Sequence, residues 1–141
     1  MPIRVAAAQV ALGKGSYRKA LDDALRLIRQ AAAFGAQLVC LPEHWLLEYR
    51  EQGYGALKEI SELARSERIY IVAGANYTQV QTNSSSEVRI CSFLVGPDGN
   101  ALGRQDKVHL FDGEKQVATP GEGYEVFDSP LGKIGITMTD I

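Results

Sequence analysis

Apolar residues in the first half of the chain follow two patterns, short and almost continuous runs, and longer stripes with helical spacing. Almost continuous runs of this length are typical of strands that are buried on both faces of a sheet. They lie at residues 3–10, 36–41 and 69–75, and the helical stripes lie at 21–32 and 57–64. Ser16 stands where the first helix needs an N-cap, and Gly35 stands where that helix should end. Because strands and helices alternate, the pattern predicts βαβ crossovers and a sheet whose first strands are parallel.

Beyond residue 80 the apolar runs are separated by turns instead of helices. These later runs lie at residues 88–95, 101–110, 124–127 and 133–138. Two turn signals, Gly96-Pro97-Asp98-Gly99 and Ser129-Pro130-Leu131-Gly132, separate them in pairs and predict antiparallel strands. The whole pattern predicts one α/β domain over residues 1–141, with two helices on a sheet of five or six strands.

The predicted helices are too few to cover both faces of the predicted sheet. Two amphipathic helices cover one face, yet the strands carry apolar residues on both. The second face therefore needs another cover, either a partner chain or a further part of this one. We expect a second chain, most simply an identical one, so that two sheets pack face to face in a homodimer. This inner face is expected to carry residues from the strands near Val5, Val39, Val72 and Ile136.

Composition and charge exclude several classes of partner. A formal net charge of −2 gives no reason to expect nucleic acid or an anionic membrane as a partner. No apolar run approaches the roughly 20 residues that span a bilayer, and the N-terminus lacks a signal-peptide pattern. Cys40 and Cys91 are expected to be reduced core thiols, which together with these features predicts a cytoplasmic protein. No segment has the spacing of a phosphate loop, a dinucleotide fingerprint or a zinc site, so no cofactor or metal is predicted.

The segment "VCLPEHW", residues 39–45, ends a strand in groups that could do chemistry. Glu43 follows a buried strand and a proline, at the kind of strand end where open α/β sheets bind ligands. A single charged residue at such a place is nevertheless more often solvated than functional. His44 and Trp45 come next, and a histidine beside a tryptophan is more often a packed, hydrogen-bonded pair than a catalyst.

A second segment, "DKVHLFDGEK" at residues 106–115, places charges within an apolar alternating pattern. Lys107 either extends its stem along the surface or points into a site. His109 shares the strand parity of Lys107, so both side chains should project to the same side. Glu114 follows Lys107 across a turn. On spacing alone, these charges are also consistent with solvated surface groups.

Four segments of the chain form a pattern when they are taken together. They are "IRVAAAQV" at 3–10, "GAQLVCLPEHW" at 35–45, "GRQDKVHLFDGEK" at 103–115 and "TPGEGYEVFDSPLGKIGI" at 119–136. Together they resemble the N-terminal half of the nitrilase, or carbon–nitrogen hydrolase, superfamily. They occur in the family's order with nearly its spacing, and the resemblance covers essentially the whole chain. The resemblance implies a two-layer half of a four-layer αββα sandwich, with a mostly parallel start and a later hairpin, completed by another chain.

The resemblance also implies roles for individual residues. Glu43 matches the family's general base, Lys107 its transition-state lysine, and Glu114 a second glutamate that helps to orient the site. The family's nucleophile is a cysteine, whose thiolate attacks an amide or nitrile carbon and forms a covalent acyl intermediate. A base that takes the thiol proton and a fixed cation beside the developing negative charge both suit this reaction.

The nucleophilic cysteine is absent from the segment in which the resemblance places it. Aligned without a gap, Thr139 takes the cysteine's position. If Asp140 is instead matched to the family's aspartate, Met138 takes that position. Neither Cys40 nor Cys91 matches the nucleophile, so the resemblance implies a site without its thiol.

Three functions fit this pattern. The first is a truncated or split carbon–nitrogen hydrolase for small amides or nitriles, inactive alone, that needs a second copy or a complementary C-terminal half. The second is a non-catalytic binding or assembly module that keeps the half-fold. The third makes Thr139 itself the nucleophile, which is chemically the weakest because a glutamate activates a threonine hydroxyl poorly.

Overall fold

Strands and helices alternate along the first half of the chain, and strands follow one another along the second half. The computed structural model describes residues 2–11, 15–46 and 55–139. The helices are α1 (Tyr17–Ala33), α2 (Ala56–Glu67) and the single-turn α3 (Asp112–Lys115). The strands are β1 (Val5–Ala7), β2 (Leu38–Cys40), β3 (Tyr70–Gln81), β4 (Ser86–Val95), β5 (Ala101–Asp106), β6 (Val126–Ser129) and β7 (Gly132–Gly135). None of the helices in these ranges combines the length and the apolar character needed to cross a membrane.

Helix α1 forms from the apolar stripe that begins after Ser16. The Ser16 hydroxyl accepts a hydrogen bond from the backbone N–H of Lys19 at 3.1 Å, which satisfies one of the unpaired donors at the helix start. The helix ends just before Gly35, whose φ of 85° lies in the left-handed region that glycine adopts without steric cost. Its buried face consists of Leu21, Ala24, Leu25 and Ile28.

The main sheet contains five strands in the order β1-β2-β3-β4-β5. β1, β2 and β3 are parallel, with α1 and α2 in the connections between them. β3, β4 and β5 are antiparallel and are joined by short turns. These pairings confirm the predicted parallel start and the later antiparallel strands. β6 and β7 form a separate two-stranded hairpin.

Different elements cover the two faces of the main sheet. The helices cover one face and form the larger apolar core, to which the sheet contributes Val39, Ile71, Ala73 and Val95. The hairpin covers part of the other face, in a smaller core that contains Tyr70, Val72, Leu94, Phe127 and Ile136. The site described below lies at the ends of strands β2 and β5, which these two cores hold in place.

The chain's own hairpin covers part of the second face, for which the sequence predicts a partner chain. Val39 lies in the helix-facing core, because the register of the parallel strands aligns it with Ala6 and Ile71. Val72 and Ile136 do lie in the second core, but the chain's own hairpin already buries them there. Val5 is the member of the predicted set that stays uncovered, with 63% of its surface exposed.

Strand β5 ends at Asp106, earlier than the apolar run to Leu110 predicts. The backbone N–H of Lys107 still donates to the Ile90 carbonyl at 2.8 Å, and the chain then leaves the sheet. Strand parity therefore stops applying at this point. As a result Lys107 is buried while His109 is exposed, so the prediction that both project to the same side is wrong.

Candidate active site

Glu43 lies directly beyond the carboxyl end of β2. The backbone N–H of Leu41 continues the pairing with β3 by donating to the Val72 carbonyl at 3.0 Å. The backbone N–H of His44 then donates to the Ala75 carbonyl at 2.6 Å. Because the bonds on either side tie this short segment to β3, the backbone of Glu43 is fixed at the strand end where the sequence predicted a site.

Lys107 follows the last residue of β5 and reaches Glu43 with a buried side chain. Besides its bond to Ile90, its backbone carbonyl accepts a hydrogen bond from the N–H of Gly121 at 2.8 Å. The side chain is 1% exposed, and its Nζ lies 2.5 Å from Glu43 Oε1 and 2.9 Å from Glu114 Oε1. An ammonium group buried to this degree requires charged partners, and the two carboxylates supply them.

Glu114 belongs to the single-turn helix α3 and is completely buried. Its Oε2 accepts a hydrogen bond from the backbone N–H of Phe111 at 3.1 Å, so the carboxylate helps to cap its own helix. Its Oε1 accepts the hydrogen bond from Lys107. The Phe111 ring also lies 5.7 Å from the Lys107 Nζ, within cation–π range. Two residues of this segment, Phe111 and Glu114, therefore contact the Lys107 ammonium.

Burial and hydrogen bonding have opposite effects on the charges of this cluster. Burial alone would lower the pKa of Lys107, but the hydrogen bonds to Glu43 and Glu114 outweigh it and raise that pKa. Burial alone would raise the pKa of Glu114, but hydrogen bonds from His44, from Lys107 and from a backbone N–H outweigh it and lower that pKa. Lys107 is therefore a fixed ammonium at neutral pH, and Glu114 is a fixed carboxylate.

Residue 139 meets Glu43 through its backbone. The N–H of Thr139 donates to Glu43 Oε2 at 3.2 Å, on the carboxylate whose other oxygen binds the lysine. Met138 instead packs a half-buried side chain against an apolar cluster on β3 and β4. Asp140, on which the alternative alignment depends, lies outside the described residues. Positions 138 and 139 are both predicted for the nucleophile, and the structure shows a hydrogen bond to Glu43 at position 139.

His44 is a fourth member of the cluster, and the sequence did not single it out as functional. Its Nε2 lies 2.7 Å from Glu114 Oε1 and 3.7 Å from Glu43 Oε1. Its ring stacks on Tyr77 with the centroids 5.3 Å apart. The signal that could have indicated His44 is its place directly after Glu43 at a strand end. Trp45, which is buried in the helix-facing core, pointed instead to a packing role for the pair.

Glu43, His44 and Glu114 also bring their ligand atoms within 4.8 Å of one another. Carboxylate oxygens and an imidazole nitrogen suit several divalent metal ions. In this cluster, however, the Lys107 ammonium is hydrogen-bonded to both carboxylates and supplies the positive charge between them. The cluster is therefore a lysine held between two carboxylates, with an imidazole beside one of them.

Comparison with known proteins supports the family resemblance. The family model for carbon–nitrogen hydrolases matches residues 4–140. The chain belongs to the carbon–nitrogen hydrolase family. The match covers the segments that contain Glu43, Lys107 and Glu114, whose individual roles remain predictions.

Curated relatives of this carbon–nitrogen hydrolase chain are about twice as long as the region they share with it. An omega-amidase NIT2-B from Xenopus laevis is 32% identical over 134 residues, which cover 82% of this chain and 47% of the frog protein. A nitrilase from Pyrococcus abyssi is 35% identical over 134 residues, which cover 85% of this chain and 49% of the archaeal protein. The chain therefore spans about half the length of the curated relatives it matches.

The fold is shared with solved members of the nitrilase superfamily. Nit3 of Saccharomyces cerevisiae aligns with a TM-score of 0.78 at 23% identity, covering 94% of this chain and 54% of the yeast chain. This likeness confirms the predicted two-layer half of a nitrilase-type fold. At this identity it is evidence for the fold alone.

Proposed function

We propose that this chain carries the general base and the lysine of a carbon–nitrogen hydrolase site for small amides, with residue 139 at the nucleophile position. The observation that carries the proposal is the buried Lys107 ammonium between the Glu43 and Glu114 carboxylates. The bond from the backbone of residue 139 to Glu43 supports it. We propose an amide substrate, as the name of the omega-amidase from Xenopus laevis suggests, and a nitrile is the alternative that the name of the Pyrococcus abyssi relative suggests.

The proposed chemistry follows from these contacts once a thiol stands at position 139. Glu43 takes the thiol proton, and the thiolate attacks the amide carbonyl carbon. Negative charge develops on the carbonyl oxygen, where the Lys107 ammonium stabilises it. The proton returns from Glu43 to the nitrogen as the C–N bond breaks, which releases ammonia or an amine and leaves a thioester. Water then hydrolyses the thioester with Glu43 as the base.

The natural residue at position 139 is threonine, and we propose that the chain alone therefore turns over no simple amide. A hydroxyl is far harder to deprotonate than a thiol, so a neighbouring carboxylate does not generate a useful nucleophile. Mass spectrometry of the unmodified chain after incubation with butyramide should find no acyl adduct. An adduct on Thr139 that disappears in a Glu43→Gln variant would show that the threonine itself is the nucleophile.

The site is tested by supplying the missing thiol. We propose a Thr139→Cys variant, with Met138→Cys as the matched control because it places a thiol one residue away. Each variant is incubated with fluoroacetamide, whose C–F bond breaks as the sulfur–carbon bond forms, and the labelled cysteine is identified by peptide mass spectrometry. The thiol at 139 should react faster than the thiol at 138. Adding Glu43→Gln should slow the reaction at 139 by about 100-fold or more, because it removes the base.

The same experiment separates the catalytic proposal from its alternative. Equal reaction rates at positions 138 and 139, or a rate at 139 that Glu43→Gln leaves unchanged, would contradict the proposed site. A non-catalytic binding or assembly module with the nitrilase half-fold would then be the better description. Cys40 and Cys91 report background labelling in every variant. Cys40 is exposed at the end of β2, so the prediction that it is a core thiol is wrong, whereas Cys91 is buried. Burial raises the pKa of the Cys91 thiol to about 12.

We also propose that another chain covers the part of the sheet that the hairpin leaves open. Ile3 and Val5 are exposed on the edge strand β1 and its approach. Register places Val5 on the same face as Leu38, which packs against the second core. The proposed cover is an identical copy, and a complementary chain is the alternative.

A further inference from the structure

His44 contacts the proposed catalytic cluster through one ring nitrogen. We propose that His44 is a positioning residue of this site, whose Nε2–H holds the Glu114 carboxylate against the Lys107 ammonium. The catalytic role of the cluster rests on the proposed function. The part that His44 plays in holding the cluster together rests on the contacts of His44. His44 itself is given no contact with substrate.

The direction of the hydrogen bond follows from the chemistry of its partner. Glu114 is an ionised carboxylate and can only accept hydrogen bonds, so at a separation of 2.7 Å the His44 Nε2 must carry the proton. The same oxygen, Oε1, accepts from the Lys107 Nζ at 2.9 Å. Oε2 is already taken by the Phe111 N–H. The carboxylate is therefore held by three donors from three parts of the chain, and His44 provides the shortest of these bonds.

The His44 ring is itself held in place. Its backbone has a φ of 59°, a left-handed conformation that non-glycine residues seldom adopt, and its N–H is bonded to the Ala75 carbonyl. The ring stacks on Tyr77 at an interplanar angle of 28°. A residue kept in an uncommon backbone conformation requires compensating contacts, and for His44 these are the bonds to Glu114 and Ala75.

The surroundings of the other ring nitrogen, Nδ1, are consistent with a proton on Nε2. Within the part of the chain that the structure describes, Nδ1 is buried and has no hydrogen-bond partner. The charged groups around the ring are the Glu43 and Glu114 carboxylates, with Lys107 bound to both. The neutral tautomer that avoids a buried, unpaired Nδ1–H carries its proton on Nε2, and an imidazolium carries a proton there as well. The proposed contact therefore does not depend on the charge of His44.

Two variants separate a positioning role from a packing role. His44→Gln keeps an N–H donor near the place of Nε2 and loses the ring, whereas His44→Phe keeps a ring for stacking and loses the donor. The readout is the titration of the Glu114 carboxylate, followed by ¹³C NMR in the otherwise unmodified chain. We expect an upward shift of the Glu114 midpoint in His44→Phe, because the lost bond favours the ionised form. His44→Gln should lie nearer to the unmodified chain.

The reverse order, with Phe harmless and Gln shifting the midpoint, would overturn the proposal and assign His44 to packing. Because either variant could unfold the chain, a second measurement uses no substitution at His44. The ¹⁵N spectrum of the unmodified imidazole should show Nε2 protonated at neutral pH, and a proton on Nδ1 alone would also overturn the proposal. The chain has two histidines, so a His109→Gln variant at an exposed position assigns the signals.

These readouts require neither a thiol nor turnover. If Thr139→Cys fails to react while His44→Phe shifts the Glu114 titration, the catalytic proposal is wrong and the positioning role stands. If the thiol reacts in a Glu43-dependent way while His44→Phe leaves Glu114 unchanged, the positioning role is wrong and the catalytic proposal stands.

Discussion

Lys107 is the residue on which the cluster depends most. Its side chain is almost completely buried, and its ammonium is balanced by Glu43 and Glu114. Removing one partner of a buried ion pair leaves an uncompensated charge in a poorly solvating environment, and the resulting loss exceeds the net contribution of the intact pair. The two glutamates thus depend on the lysine for charge compensation as well as for the proposed chemistry.

A Lys107→Met variant tests this dependence, because methionine keeps the apolar stem and removes the charge. The free energy of unfolding should fall by about 3–5 kcal/mol, as measured by urea denaturation. Lys133→Met is the control, since Lys133 pairs with Asp128 on an exposed part of the hairpin. That change should cost less than about 1 kcal/mol. Equal losses in the two variants would mean that Lys107 is not a balanced buried charge.

The shifted pKa values of Glu114 and Lys107 predict a pH range in which the chain is most stable. The lowered pKa of Glu114 contributes stability at neutral pH that is lost as the pH falls below about 4.3 and through the folded-state value. The raised pKa of Lys107 contributes stability that is fully present below about pH 10.4 and is lost as the pH rises through the folded-state value. The urea midpoint should therefore fall at both ends of the pH range. In Lys107→Met the alkaline fall should be smaller, and an unchanged alkaline fall would contradict the assignment.

The sequence could indicate Glu43, Lys107 and Glu114 because their positions depend on backbone features that leave a pattern. Glu43 follows a strand, and the other two belong to a segment whose order and spacing resemble a family. For His44 the sequence offers only its place directly after Glu43, which does not predict a contact with Glu114. Its imidazole reaches Glu114 because of a left-handed backbone conformation and a stacked ring, which depend on tertiary contacts.

At the scale of the elements, strand parity predicted side-chain direction only within paired strands. It failed for His109, because pairing ends just after Asp106 and the chain then turns into α3. The apolar run alone could not indicate the face of Val39, since strands buried on both sides carry no alternation. The register with β1 and β3 decided it. The sequence predicted both ends of α1, because the residues that cap a helix, here Ser16 and Gly35, lie next to its ends in the chain.

The N-cap of α1 gives a prediction at this scale. Ser16→Ala should reduce the free energy of unfolding by about 1 kcal/mol, because it removes the acceptor for the Lys19 N–H. Ser66→Ala is the matched control, since the Ser66 hydroxyl donates to the Leu63 carbonyl within α2 and caps no free donor. Its effect should be within about 0.5 kcal/mol of zero. Equal losses in chemical denaturation would mean that the Ser16 cap is unimportant.

At the scale of the whole molecule, the two faces of the sheet are covered unequally. The helices bury one face from β1 to β4, whereas the β6–β7 hairpin covers the other face mainly over β3 and β4. The open part lies at the β1 edge, where Val5 is 63% exposed and Ile3 is 44% exposed. An edge strand with apolar side chains and unpaired backbone groups favours association with another chain.

The proposed association predicts that the unmodified chain, of 15.4 kDa, is a dimer in light scattering at micromolar concentration. Val5→Lys places two like charges close together at a twofold interface, so the dissociation constant should rise at least about tenfold. Phe34→Lys is the matched control, because Phe34 is 79% exposed at the end of α1 and outside both cores. It introduces the same charge and should leave the dimer unchanged. Circular dichroism verifies that each variant is folded.

Three results of this experiment lead to different conclusions about the open face. A dimer that Val5→Lys dissociates and Phe34→Lys does not would place the interface at the β1 edge. A dimer that resists Val5→Lys would place the interface elsewhere. A cooperatively unfolding monomer at every concentration would contradict self-association, because the hairpin and the helices would then bury enough of the sheet for the chain to fold alone. In that case a complementary chain that covers Val5 becomes the remaining form of the proposal.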